Sequence, residues 1–217
     1  MTKRIIFSFL FCVTFIGNAQ SNSEIKIDSL VSNYIKKLQS QKIDTICIYE
    51  SYCVGCRMLF DSNSNEICDD NQRNQSIYIF WKRNKKTYLT KISTCSEYSE
   101  VNILQDDFWE IYFSNQNIIK KEKFKQFEYF PYKNFKEVKC ALLIDHSPVQ
   151  NFKMIIKGSM IKKEFNSFQM KEQNDDGIVN INYKHNNRLK SNLIMDILEK
   201  TVSEAEKNNT FKKIKSR

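Results

Sequence analysis

Apolar residues recur at three-and-four spacing in two stretches near opposite ends of the chain. In residues 24–40, Ile27, Leu30, Val31, Tyr34, Ile35 and Leu38 fall on one stripe, a period that predicts an amphipathic helix. In residues 188–207 the stripe is Leu189, Leu193, Ile194, Ile197, Leu198 and Val202, predicting a second helix with one face to bury. Between them the period shortens to two. Residues 76–82 and 87–93 flank the polar Arg83-Asn84-Lys85-Lys86, the pattern of a β-hairpin. Ile77, Ile79 and Trp81 take one face of its first strand and Tyr78 and Phe80 the other, because successive strand side chains alternate.

Shorter runs complete the pattern. Residues 44–49 read as a strand with Ile46, Cys47 and Ile48 buried, and 138–145, 152–157, 160–165 and 178–183 read as further strands. Lys157-Gly158-Ser159 predicts a tight turn between two of these. Residues 106–127 read as helical but broken, with Phe108, Trp109, Ile111, Tyr112 and Phe113 as an aromatic knot in the core. No internal repeat is visible, and no Pro/Gly/Ser-rich linker divides the chain. The expected fold is α+β, a single antiparallel-sheet domain over residues 20–217 with N-terminal and C-terminal helices.

The first nineteen residues lie outside that pattern. Lys3 and Arg4 precede an apolar stretch from Ile5 to Ile16, followed by Gly17-Asn18-Ala19. A positive head, a short apolar centre and small residues at minus three and minus one make a secretory signal peptide, cleaved after Ala19 to leave Gln20 first. A retained anchor would need about 20 apolar residues. Lipidation at Cys12 would want a small residue before it, where Phe11 stands. No second long apolar stretch follows, so no stable membrane insertion is expected after cleavage. The expected location is secreted or periplasmic.

Composition narrows the chemistry. The formal net charge is +9, and losing Lys3 and Arg4, with no acids beside them, lowers it to +7. In an exported protein this favours an anionic envelope component over nucleic acid. Lys120, Lys121, Lys123 and Lys125, and the tail Lys212-Lys213-Ile214-Lys215, read as solvated surface rather than as a stacking platform for single strands. Past residue 19 only Gly55, Gly158 and Gly177 remain, each isolated. Phosphate-cradling loops and dinucleotide fingerprints need two or three glycines close together, so both are excluded. No cofactor is expected.

Six cysteines follow the signal segment: Cys47, Cys53, Cys56, Cys68, Cys95 and Cys140. An even number in an exported chain predicts disulfides, with fifteen possible pairings. Cys53-Val54-Gly55-Cys56 resembles the active pair of thioredoxin-like oxidoreductases, which sits after a strand at a helix N-terminus where the dipole lowers the first thiol's pKa. The resemblance implies Cys53 and Cys56 as catalytic residues of a thiol–disulfide oxidoreductase. Against it, only Arg57-Met58-Leu59-Phe60 is available for a helix before the polar Asp61–Asn65 loop. Cys53, Cys56, Cys68 and Cys95 also have numbers enough for a zinc site, which an oxidising compartment opposes.

Other candidate chemistry is thin. His146 and His185 are the only histidines, and adjacent residues such as Asp145-His146-Ser147 cannot face one another as a catalytic triad must. Asp61-x-Asn63-x-Asn65 and Asn174-Asp175-Asp176-Gly177 each match part of a calcium loop without its closing glutamate, and read as polar turns. Asp106, Asp107 and Glu110 assign no glycosidase. The signal ending at Ala19-Gln20 and the strand Ile79-Phe80-Trp81-Lys82 together resemble uncharacterised exported proteins of low-GC Gram-negative bacteria. That resemblance implies a periplasmic or extracellular location and no particular activity. The expected role is non-enzymatic, binding an envelope component or a protein partner, with the Cys53/Cys56 enzyme as the rival.

Overall fold

The computed structural model describes residues 27–54, 76–131 and 138–216. Helix α1 (Ile27–Ser40) buries Ile27, Val31 and Leu38. It closes where Lys42 turns left-handed (φ 61°) and the Ile43 N–H returns to the Leu38 carbonyl at 3.1 Å, beside Lys42 N–H to Gln39 at 2.9 Å. Those two bonds make a Schellman stop, and Leu38 and Ile43 pack into one cluster beneath it. Strand β1 (Thr45–Val54) follows. Strands β2 (Ile77–Arg83) and β3 (Lys86–Ile92) form the predicted hairpin. Asn84 and Lys85 both have positive φ (54° and 64°), the two-residue turn whose twist matches its strands.

Strands β4 (Ser96–Tyr98) and β5 (Val101–Ile103) precede helix α2 (Asp107–Lys121). Then come β6 (Glu128–Tyr129), β7 (Cys140–Ala141), β8 (Ser147–Ile156), β9 (Ser159–Asn166) and a 3-10 turn, Ser167–Met170. Helices α3 (Tyr183–Asn187) and α4 (Lys190–Lys207) and strand β10 (Lys213–Ser216) close the chain. The main sheet runs β10-β4-β3-β2-β1-β8-β9, with β5 also paired to β3, while β6 and β7 pair separately. Every pairing is antiparallel. The fold is α+β, an antiparallel sheet with helices toward both ends of the chain, as the hydrophobic pattern predicts.

Alternation along the strands builds two cores. Ile46 and Ile48 of β1 sit opposite Trp81 and Ile79 of β2 and, with Ile77 and Ile92, take the α1 face. Cys47 and Tyr49 sit opposite Phe80 and Tyr78 and face α2 and α4, among Leu89, Phe108, Trp109, Phe152, Met154 and Leu198. The terminal helices therefore lie on opposite sides of the sheet. Trp81 is fully buried with its indole N–H unpaired. Burying ~200 Å² of indole is worth about 5 kcal/mol, against about 1–3 kcal/mol for an orphaned donor. Packing wins.

Helix α2 is broken as expected. Asn115 leaves helical geometry (φ −128°, ψ 19°) where the helix kinks, and its side chain donates to the Ile111 carbonyl at 2.8 Å, a side-chain insertion of the kind that bends helices. Elsewhere the period-based expectations need correction. Residues 178–183 form no strand; Val179 makes one isolated bridge to Gln173, because the backbone N–H groups of Asn180, Ile181 and Tyr183 go to three different partners, the carbonyls of Glu172, Glu128 and Asn180, instead of to one ladder. The expected strand 138–145 shrinks to Cys140–Ala141. Leu193 is 44% exposed and shares no core with Trp81. Helix α4 packs on both the sheet and α2, so its buried arc is centred on Ile194, Met195, Leu198 and Val202.

Candidate functional site

One flank of α1 stands clear of the sheet and forms the wall of a groove of about 550 Å³. Leu30, Tyr34 and Lys37, at helical spacing, line this wall, Thr90 and Ile92 of β3 the floor, and Tyr98 and Ile214 the far side. The far side exists because the chain returns after α4. The Ser99 N–H donates to the Lys212 carbonyl (2.9 Å), and β10 then pairs with β4 through Lys213–Tyr98 and Lys215–Glu97, with a register shift between them. A bulge re-aims the residue it leaves unpaired. Here that residue is Ile214, which lines the groove while remaining 68% exposed.

Two polar clusters brace this part of the sheet, one on each face. On the α1 side the Tyr34 hydroxyl donates to Glu100 Oε1 at 3.0 Å, and Arg83 reaches Glu100 Oε2 at 3.5 Å. The Arg83 guanidinium also lies 4.3 Å over the Tyr88 ring. Trp81 stacks on Tyr88 (centroids 5.7 Å) and meets the edge of Tyr34 (5.8 Å). Burial, reinforced by the Glu100 charge, pushes the Tyr34 hydroxyl far above the usual tyrosine range, so it stays a neutral donor.

On the other side Lys91 pairs with Glu206 at 3.0 Å and lies 5.0 Å over the Tyr98 ring. The Tyr78 hydroxyl donates to the same carboxylate at 2.7 Å, and burial raises its pKa as well. Phe211 sits between Tyr78 (5.9 Å) and Tyr98 (6.4 Å), fixing the approach to β10. This cluster lies on the α4 face of the sheet, behind the groove, where the last turn of α4 holds the edge strands from the back. Its first turn is held by Glu122, whose carboxylate accepts from the backbone of Lys190 (2.7 Å) and Ser191 (2.9 Å) and from the Ser191 hydroxyl (2.7 Å).

Charges in the groove differ in how far they are committed. Glu100 and Lys91 have the partners just described, and Glu97 is also engaged. Lys37 is exposed, 5.3 Å over the Tyr34 ring, and makes no ion pair among the described residues. Among the described residues the groove therefore brings aliphatic and aromatic side chains together with the exposed carboxylates of Glu97 and Glu100 and the ammonium of Lys37.

The residues singled out from sequence lie elsewhere. Cys47 and Cys140 are free thiols, which corrects their place among the disulfide candidates. Cys47 is buried opposite Phe80 and Met154, where burial pushes its thiol well above the ordinary range and no described cysteine faces it. Cys53 and Cys95 are both engaged rather than free. Cys53 lies within β1 opposite Pro148, not at a helix start. Cys56, Cys68 and the Asp61–Asn65 loop fall outside the described residues.

His146 is exposed just before β8, and His185 is exposed with Nε2 3.2 Å from the Lys123 carbonyl. Asn174–Gly177 is a polar turn: Asn174 Oδ1 accepts from the Ile178 N–H at 2.7 Å, and Gly177 takes φ 77°. Asp106 accepts from Thr87 at 2.7 Å and pairs with Lys82 at 3.5 Å, fastening α2 to the hairpin. Among the described residues no group of three or more His, Cys, Asp and Glu could hold a metal ion. No described helix is long and apolar enough to cross a membrane. No family model, curated protein or solved structure matches the chain.

The groove residues escaped the sequence reading for identifiable reasons. Tyr34 and Leu30 belong to the predicted stripe and read as core. Ile214 sits in a lysine-rich tail whose alternation of Lys213, Ile214 and Lys215 is a faint two-residue period. Glu100, Tyr98 and Lys91 are joined only by tertiary contacts.

Proposed function

We propose that this chain is exported, loses residues 1–19, and acts in the periplasm or outside the cell as a non-enzymatic binding protein. Its partner is an envelope component or another protein, engaged through the groove between α1 and the β3–β4–β10 edge. The observation that carries the reading is the groove's construction. Glu100 ties the α1 wall to Arg83 and Tyr34, and among the described lining residues Lys37 is exposed without an ion pair beside Leu30, Ile92 and Ile214, a preformed site that costs little ordering when filled. Export is supported by the segment from Lys3 to Ala19. An anionic partner is supported by the positive charge.

Cys53 and Cys95 serve in this reading as disulfide staples, each adding about 2–4 kcal/mol. The rival thiol–disulfide enzyme lacks its usual setting, because a strand residue has no helix dipole to lower its thiol pKa. Two measurements test the proposal. Mass analysis of exported protein should find Gln20 as the first residue; retention of Met1 contradicts export with cleavage. In Trp109→Phe, Trp81 is the remaining tryptophan and contacts Tyr34, so a ligand in the groove shifts its emission. Screening small amphipathic fragments should yield shifts that Ile214→Ser abolishes. Shifts indifferent to Ile214→Ser, or none at all, refute the groove as the site.

A further inference from the structure

We infer that the groove selects a small amphipathic organic acid, its carboxylate met by Lys37 and its apolar body laid against Leu30, Ile92 and Ile214. This deepens the binding reading above and rests on it. The charges left available in the groove decide the sign of the ligand. Glu100 already accepts from Tyr34 and pairs with Arg83. Lys91 is taken by Glu206 and the Tyr98 ring, and Glu97 is engaged. A cationic ligand would meet at Glu100 a carboxylate whose charge Arg83 already offsets and whose other oxygen Tyr34 already occupies. A neutral ligand would leave Lys37 beside apolar surface with nothing to pair. An acid completes the set without breaking any contact.

Size and shape point the same way. About 550 Å³ lies within the roughly 300–1,000 Å³ of small-molecule sites. Leu30 of α1, Ile92 of β3 and Ile214 of β10 all line it, giving apolar surface from three elements. The cation sits toward one end of α1, at Lys37. The occupant therefore carries one acidic head and a short apolar body.

The test uses three probes with the same body: 4-phenylbutanoate, 4-phenylbutanamide and 4-phenylbutylamine. Their affinities for residues 20–217 are measured by calorimetry at low and high salt. Lys37 is exposed, so the gain from its pairing is modest and screened: the acid should bind about three- to fivefold more tightly than the amide at low salt, and less distinctly at high salt. Lys37→Met, which keeps the apolar stem, should erase that preference and leave amide binding unchanged. Ile214→Ser should weaken all three probes.

Equal binding of acid and amide by the wild type overturns the acid inference. So does a preference that survives Lys37→Met, or tighter binding of the amine. In each of these cases the groove reading stands if Ile214→Ser still weakens binding. No binding by any probe, or binding that Ile214→Ser leaves unchanged, removes the groove reading itself and the acid inference with it. Lys37 and Ile214 are both exposed, so these variants should melt as the wild type does, which a thermal scan verifies.

Discussion

Replacing Glu122 by alanine should cost about 2–3 kcal/mol of stability, because this side chain caps a helix to which it does not belong. Leu189, at the N-cap of α4, offers no side-chain acceptor, and the Glu122 carboxylate takes over, accepting three hydrogen bonds at 2.7–2.9 Å. Losing an ordinary N-cap costs about 0.5–2 kcal/mol, and losing a negative charge at a helix N-terminus about 0.3–1 kcal/mol. Ser191 is fully buried, so its amide has no water to turn to, which places the total toward the upper end. In a chain of this size 2–3 kcal/mol corresponds to about 5–10 °C in Tm. Glu122→Gln keeps an acceptor oxygen and loses the charge, so it should cost about 1 kcal/mol.

Urea unfolding followed by circular dichroism gives both numbers. The same junction holds α2, since Lys163 donates to the carbonyls of Lys120 and Glu122 where that helix ends. An alanine variant within about 0.5 kcal/mol of wild type, with an unchanged m value, would refute the capping argument.

Leu198→Ala should cost about 2–5 kcal/mol and Leu193→Ala no more than about 0.5 kcal/mol, because only the first is buried; equal costs would show the α4 face misassigned. Asp196 is exposed but partly withdrawn from water, and that desolvation, followed by the neighbouring Glu199 charge, raises its pKa. Its proton is held more tightly in the folded state, so its stabilising contribution is present at low pH and lost as pH rises through the aspartate range. Asp196→Asn should therefore raise Tm at pH 7 and lose that advantage near pH 3, and a constant or inverted difference across that range contradicts the assignment. Cys53→Ser should lower Tm and expose an additional reactive thiol under non-reducing conditions; an unchanged Tm, together with rapid reduction of insulin disulfides by the wild type, would favour the enzyme instead.

Much of the scaffold was legible because its periods are strong. The hairpin faces follow from alternation in Ile77–Trp81, and α1 follows from the 27–38 stripe. The break in α2 follows from aromatic crowding beside a polar interruption. What the periods could not convey is where a helix meets two neighbours at once. That geometry moved Leu193 outward and drew Asn192 and Thr201 inward. Residues 178–183 show the same limit: their alternation is genuine, yet their backbone N–H groups find separate partners at Glu172, Glu128 and Asn180 rather than a neighbouring strand. The groove was the least legible part. It depends on β10 coming back across the sheet edge, and a four-residue strand of exposed side chains leaves almost no mark in composition or hydropathy.

Amide chemical-shift mapping of residues 20–217 with 4-phenylbutanoate tests the groove most directly. The account predicts the largest perturbations at Leu30, Tyr34, Lys37, Tyr98 and Ile214, with β9 and α2 unmoved. Perturbations centred on β9 or α2, or none at saturating probe, would contradict it.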